Sequence, residues 1–326
     1  LSFDANDAEM ISTAVSILRN GGLVAFPTET VYGLGADATN PAAVRRIFSA
    51  KQRPATNPLI VHAASAQVAR RYAVDWPAVA DVLAQRFWPG PLTLVLRKTD
   101  AIADEVSAGG PTIGLRVPNH PLALELLAAF DGPVAAPSAN RSNQISPTEA
   151  SHVKAELGDA VDLILDGGLC SVGIESTVLD LSVRQPRILR PGNISQKQIE
   201  AVIGPVEMFS GHVDRGTVAA SPGQQLRHYS PRTPAFRFQS EQMDTLSARM
   251  EMAGGCALTI TVMRDVTGAA VHPMPCDPAE YARDFYRVLR QVDAGGYASI
   301  YIEMPPSSEE WNAVRDRICR ATDLLK

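Results

Sequence analysis

The sequence predicts an α/β protein in two parts. A large domain built on a twisted mixed sheet spans residues 1–208, a long linker runs over 209–234, and a smaller Rossmann-like α/β domain occupies 235–326. Three observations predict this. Short apolar runs bounded by Gly and Pro recur near residues 23, 59, 92, 113, 134, 161, 177 and 188, giving about eight strands among stretches of helical periodicity. Several connections are too short for helical crossovers, so the first sheet mixes parallel and antiparallel pairs. From Phe209 the composition turns polar with Gly and Pro, and beyond Pro234 strand and helix patterns alternate again.

In order along the chain, Asp7 to Asn20 carries Ala8, Ile11, Val15 and Leu18 at helical spacing and ends at Gly21-Gly22. Gly22 to Phe26 is a buried strand closed by Pro27. Thr28, Glu29, Thr30 and Tyr32 therefore fall at or past a strand end, where open α/β sheets place ligands. Asn40 as N-cap and Pro41 as the first helical residue open a helix with Val44, Ile47 and Phe48 on its apolar face. It stops at Lys51, because Pro54 biases Arg53 away from helical geometry. Leu59 to Val61 is the next strand. Ala64–Tyr72 and Trp76–Phe87 are surface helices, and Trp88-Pro89-Gly90-Pro91 turns the chain into the strand Leu92 to Leu96.

Ile113 to Val117 is a further strand, and Pro133 to Ala136 a short one running into Pro137-Ser138-Ala139-Asn140. Ser146 is the expected cap before a helix from Glu149. Val161–Leu165, the stretch around Thr177 and Arg187–Arg190 complete the sheet, and a helix begins near Ser195. In the second part, Phe236–Phe238, Cys256–Val262 and Ser299–Ile302 read as strands. Helices are expected near Met243–Met252, over Pro278–Val292 and over Glu309–Leu325. Nothing there resembles a catalytic cluster; Asp284 and Arg287 read as a solvated i, i+3 pair.

With 326 residues, 45% apolar and 20% charged, the chain is long enough for two cores. A net charge of -5 argues against a dedicated nucleic-acid binder held by bulk electrostatics. Cys170, Cys256, Cys276 and Cys319 form no C-x-x-C pair, which points to neither zinc nor a disulfide framework and fits a reducing cytoplasm. No apolar run approaches a membrane span.

Several positions admit two readings. Lys51 and Arg53, crowded with Asn57 before a strand, either satisfy a helix C-terminus or form an anion site combining a point charge with a planar fork. Arg116, flanked by Leu115 and Val117, needs a partner on the opposite face: a structural carboxylate or a ligand anion. The small residues Ser138 to Asn140 suit a turn or a phosphate nest. Arg227, His228 and Tyr229 cluster in an otherwise plain linker, where the tyrosine either packs between domains or lies over a base. Walker and dinucleotide-binding loops are missing, as are H-E-x-x-H and G-x-S-x-G, so any nucleotide must be held by dispersed cations, hydroxyls and backbone amides.

PTETVYGLG at 27–35, the K-x-R of Lys51 and Arg53 and the following NPLIVH resemble the YrdC-like threonylcarbamoyl-AMP synthases. FWPGPLTLVL at 87–96, GLRVPNHP at 114–121, APSANRS at 136–142, SPT at 146–148, GIESTV at 173–178 and LRPG at 189–192 continue the resemblance in family order. The linker and second domain are similar to the long, two-domain form; the short form ends near residue 205. Asn143 stands where the family often has Gly.

The resemblance implies a YrdC-like first domain and a nucleotidyltransferase that makes threonylcarbamoyl-AMP and pyrophosphate from L-threonine, bicarbonate or CO2, and ATP. The product then serves a separate transferase that modifies tRNA, so tRNA is an indirect partner. Carried over residue by residue, Lys51, Arg53, Asn57, Thr112, Ser138, Ser146, Arg190 and Tyr229 contact ATP, with Lys51 and Arg53 also catalytic. Thr30, His62, Arg116, the backbone of Ala136 and Ser176 hold L-threonine. Mg2+ is held through the phosphates, with no dedicated protein metal site; Glu29, Asp37 and Glu175 are outer partners only. Arg227 to Tyr229 would act as a lid. Two rival functions are a carbamoyl transferase using carbamoyl phosphate and an RNA-binding module whose phosphate contacts are Lys51, Arg53 and Arg190.

Overall fold

The computed structural model describes residues 5–209, 211, 227–243, 246, 250, 254–260 and 270–325. The first helix, α1 (Ala5–Arg19), leads through Gly21 at φ 77° into β1 (Val24–Phe26). The hydroxyl-rich segment expected to be one turn instead returns as a strand, β2 (Gly33–Asp37), antiparallel to β1. Glycine is a poor strand former, and packing explains the exception. A Cβ on Gly35 would stand 2.8 Å from the Phe26 ring and 2.9 Å from Val134 Cγ1, so only glycine lets the strands and ring close up.

Helix α2 (Pro41–Lys51) begins as its residues dictate: Asn40 Oδ1 accepts from the amides of Ala42 at 3.0 Å and Ala43 at 3.3 Å. Gln52 in the left-handed region ends it, and Arg53 N–H donates to Phe48 O at 2.9 Å. There follow β3 (Ile60–His62), the short α3 (Ala66–Arg70), α4 (Ala78–Phe87), β4 (Leu92–Arg97) and β5 (Thr112–Arg116). An unanticipated helix, α5 (Pro121–Phe130), buries Ala123, Leu126, Leu127 and Phe130 at helical spacing. Then come β6 (Val134–Ala135), α6 (Ala150–Leu157), β7 (Leu163–Ile164), β8 (Thr177–Asp180), β9 (Arg187–Arg190), α7 (Gln196–Ile203) and β10 (Glu207–Met208). Ser195 caps α7, as read. Ser146 caps nothing; its hydroxyl goes elsewhere.

The described strands of this part form one sheet in the order β10-β9-β8-β4-β5-β3-β6-β2-β1-β7. It is mixed, with ten strands against the eight read from sequence; β2 and β10 are the additions. One core layer packs α2, α4, α6 and α7 on the sheet, and the opposite layer packs α1 and α5.

In the second part, β11 (Ala235–Phe238), β12 (Cys256–Thr259), β13 (Ala270–Pro273), α8 (Pro278–Asp293), β14 (Ile300–Glu303), α9 (Asn312–Ala321) and β15 (Asp323–Leu324) make an all-parallel sheet, β13-β12-β14-β11-β15. The expected final helix stops at Ala321, and its last residues pair beside β11 instead. The helix expected near Met243–Met252 and the end of the strand expected at Cys256–Val262 lie partly outside the described residues, as does most of the linker. Val31, Ile145 and Ile174 of the first part share a core with Tyr229, Tyr281 and Phe285, so the parts are docked through apolar contact.

Candidate functional site

Strand register brings the polar residues together. β3 and β5 run parallel with His62 opposite Arg116, while β6 runs antiparallel to β3 and the Ala136 N–H donates to Ile60 O at 2.9 Å, so Ile60, His62, Arg116 and Ala136 border one hollow. Arg116 is buried, and its Nη2 lies 2.8 Å from Glu29 Oε2 and 3.0 Å from Thr30 Oγ1 while Nε donates to Gly90 O at 3.2 Å. The structural-carboxylate reading of Arg116 is thus realised in this state. Its Nη1 takes no hydrogen-bond partner among the described residues.

The Thr28 and Thr30 hydroxyls are 2.9 Å apart, and Thr28 accepts from the amides of Thr30 and Val31 in a tight hydroxyl turn. Burial first, then the charge of Arg116, pushes the His62 imidazole down to about 3, so it is neutral at physiological pH. Its Nδ1 is buried without a hydrogen-bond partner among the described residues.

On the facing wall, Ser176 Oγ is 2.8 Å from Thr93 Oγ1, and Arg190 clamps the Ser176 carbonyl from Nε at 3.1 Å and Nη2 at 3.0 Å. Arg53 is fixed by donating to Asn57 O at 3.1 Å and Pro58 O at 2.9 Å. Burial lowers the pKa of both guanidiniums, Arg53 to about 10; each remains a cation at neutral pH. Gly192 makes the Arg190 turn possible, since a Cβ there would meet Thr177 N at 2.3 Å.

His228 and Tyr229 border this hollow. Tyr229 is 1% exposed and sits at φ 62°, a backbone region that costs a bulky residue energy. Its ring meets His228 at 4.0 Å and Tyr286 of α8 at 5.7 Å, and the Arg317 guanidinium of α9 lies 5.3 Å from its centroid. Neither the Tyr229 hydroxyl nor His228 Nδ1 has a hydrogen-bond partner among the described residues. Arg227, grouped with them in sequence, points away and is 3.6 Å from Asp323.

Thr30, His62, Arg116, Ala136 and Ser176, the five expected threonine contacts, all border this cavity, as do Arg53, Ser138, Arg190 and Tyr229. Four expected ATP contacts do not. Lys51 is 1% exposed, with its ammonium between the carbonyls of Ser138 and Asn140, behind the cavity wall. Burial and the neighbouring Arg53 push its pKa well down. Asn57 is buried with neither side-chain polar atom hydrogen-bonded among the described residues, Ser146 Oγ donates to Glu175 Oε1 at 2.5 Å, and Thr112 begins the strand that Arg116 ends. The hollow has a volume of about 50 Å3, far below the ~300–1,000 Å3 of ligand pockets.

Sequence reasoning passed over Tyr286 and Arg317, although the second part was judged free of functional clusters. A signal existed: Arg317 stands on the apolar stripe Val314, Ile318 and Ala321 of α9, where a lone cation needs a buried partner. That partner is Glu175, at 2.8 Å.

The hollow thus gathers two fixed guanidiniums, a third paired with a carboxylate, and several small hydroxyls on one mixed sheet. The family model described as telomere recombination matches residues 16–192, and the model described as threonylcarbamoyl-AMP synthase, C-terminal domain, matches residues 194–322. A threonylcarbamoyl-AMP synthase of Bacillus subtilis is 48% identical over 97% of this chain and 93% of its own, and one of Pyrococcus abyssi is 38% identical over 96% and 94%. The solved structure of P. abyssi Sua5 complexed with L-threonine superposes with a TM-score of 0.89 at 37% identity, covering 97% of this chain and 96% of that one. The chain belongs to the threonylcarbamoyl-AMP synthase family and is an enzyme of its two-domain form.

Proposed function

We propose that this cavity makes threonylcarbamoyl-AMP with L-threonine at the strand ends and ATP on the Arg53–Arg190 side. The carrying observation is the set of buried polar groups with no hydrogen-bond partner among the described residues around one small hollow: His62 Nδ1, His228 Nδ1 and the Tyr229 hydroxyl. Such groups persist where a ligand completes them.

The threonine carboxylate pairs with Arg116, and its hydroxyl and amine meet Thr30, His62, Ser176 and the Ala136 backbone. A neutral His62 accepts a hydrogen bond there rather than storing a proton. The amine adds to bicarbonate or CO2 to give a carbamate, with loss of water in the first case. A carbamate oxygen then attacks the α-phosphorus of ATP, and the bond to pyrophosphate breaks. Alignment and charge neutralisation do most of this work, with Arg53 and Arg190 facing the phosphates and Lys51 holding the Ser138–Asn140 turn from behind.

ATP is larger than the present hollow, so the contacts of Asn57, Thr112 and Ser146 fall beyond its lining and require the cover to lift. Mg2+ would be held mainly by the phosphates, since Glu29 and Glu175 are already engaged by Arg116 and Arg317. Residues 209–234 serve as linker and lid between a catalytic domain at 1–208 and a small domain at 235–326, with His228 and Tyr229 shielding the carbamate and mixed anhydride. The product passes to a separate threonylcarbamoyl transferase, and four unpaired thiols suit a reducing cytoplasm. Burial of Lys51, Arg53 and Arg190 weighs against an RNA-binding face, which needs exposed cations.

Pyrophosphate release from ATP, followed with L-threonine and bicarbonate supplied together and singly, tests the reading. Release requiring both supports it. Release that ignores threonine, or appears only with carbamoyl phosphate, would overturn it.

A further inference from the structure

Glu175 borders the cavity on the side given to the nucleotide, yet it is a carboxylate. Groups from both parts of the chain make it tolerable there. Ser146 donates to Oε1 at 2.5 Å; Tyr286 of α8 and Arg317 of α9 donate to Oε2 at 3.0 and 2.8 Å. Arg317 also reaches the Glu175 carbonyl from Nη2 at 3.2 Å and the Pro191 carbonyl from Nη1 at 3.0 Å. One side chain of the second domain thus ties the segment carrying Ser176 to the turn carrying Arg190, while its face lies against Tyr229 of the linker. Burial alone would raise Glu175, but Arg317, then Arg190 and the Ser146 hydroxyl, outweigh it and hold the group down at about 2.

Resting on the nucleotide site proposed above, we infer that Arg317, assisted by Tyr286, is a positioning residue for ATP: it neutralises Glu175 so that the polyphosphate is not repelled, and it fixes Ser146 and Ser176. The second domain is therefore a working part of the active site. A buried carboxylate next to bound phosphate, without its counter-cation, is a like-charge contact in low dielectric.

The test compares Arg317→Met, Glu175→Gln and the double variant in the full chain, with KM for ATP, KM for L-threonine and kcat read separately. Arg317→Met is expected to raise KM for ATP at least tenfold, with a smaller change in KM for threonine. Adding Glu175→Gln removes the stranded charge and is expected to restore most of the ATP affinity. A purely structural role would leave the double variant as impaired as the single one, and that result would overturn the inference; so would an unchanged KM for ATP in Arg317→Met. Should Arg317→Met not fold, Tyr286→Phe carries the test: a two- to fivefold rise in KM for ATP, reversed by Glu175→Gln, is expected, and no rise overturns the inference. Arg53→Ala run in parallel separates the two levels. If Arg53→Ala spares ATP use, the nucleotide site itself is wrong; if it impairs ATP use and Arg317→Met does not, only the role of Arg317 falls.

Discussion

Replacing Arg116 with alanine should separate amino-acid use from nucleotide use. Arg116 and Glu29 have side chains 5% and 4% exposed, at 2.8 Å, so each is the other's main compensation. Truncating the arginine alone removes the carboxylate anchor of threonine and strands Glu29. The first loss, a charge-assisted contact from the one guanidinium nitrogen left over, amounts to about 1.5–3 kcal/mol, or roughly 10- to 150-fold in KM for threonine. The second costs about 3–5 kcal/mol of fold stability. Pairing Arg116→Met with Glu29→Gln removes that second cost, so the binding defect can be measured on a protein that stays folded. Initial rates of pyrophosphate release over a matrix of threonine and ATP concentrations give both KM values. A rise confined to threonine is expected, with KM for ATP within about threefold of the parent, an allowance of ~0.7 kcal/mol. Equal rises in both constants would refute the division of the cavity into an amino-acid side and a phosphate side.

Three further outcomes follow. Tyr229→Phe should raise the melting temperature of the free enzyme, because it deletes a buried hydroxyl that costs about 1–3 kcal/mol unpaired, while speeding loss of the mixed anhydride to water; a lowered melting temperature would mean the hydroxyl has a partner. His62 and His228 are both held at about 3 by burial, so the unfolded chain takes up protons first as pH falls below 6.5. Their stabilisation is complete above that value and shrinks toward pH 3, by about 1.4 kcal/mol per pH unit for each; urea titrations showing flat stability between pH 7 and 5 would contradict two buried neutral imidazoles. Gly173→Ala should loosen the docked second domain, since φ is 79° and the new Cβ would meet Arg283 O of α8 at 2.4 Å; unchanged small-angle scattering and unchanged KM for ATP would refute it.

Local signals carried much of the first domain. Asn40-Pro41 opened α2, Gly21-Gly22 closed α1, and the linker announced itself by composition. What failed to show was whatever depended on distant partners. β2 has a glycine pattern that no propensity argument would make a strand, and it exists because Phe26 and Val134 close over it. β10 and β15 are two-residue strands that pairing alone defines. At the site, the strand-end residues were legible because chain polarity places them. The burial of Lys51 was not, since a carbonyl pair from Ser138 and Asn140, some ninety residues on, captures it. Arg317 was visible as an anomaly on an apolar face, but its destination 142 residues away was not.

The backbone at Tyr229 also governs how the site lets go of what it holds. A tyrosine seated with φ 62° regains about 1–3 kcal/mol once it swings out and relaxes. If His228 and Tyr229 form the lid proposed above, the described conformation is preloaded like a sprung catch, kept down by the margin its ring contacts supply. Occupants that contribute or withdraw a similar margin can tip it, a bias of roughly 5- to 150-fold in population. Admission and discharge can then follow the bound species itself, without a separate trigger.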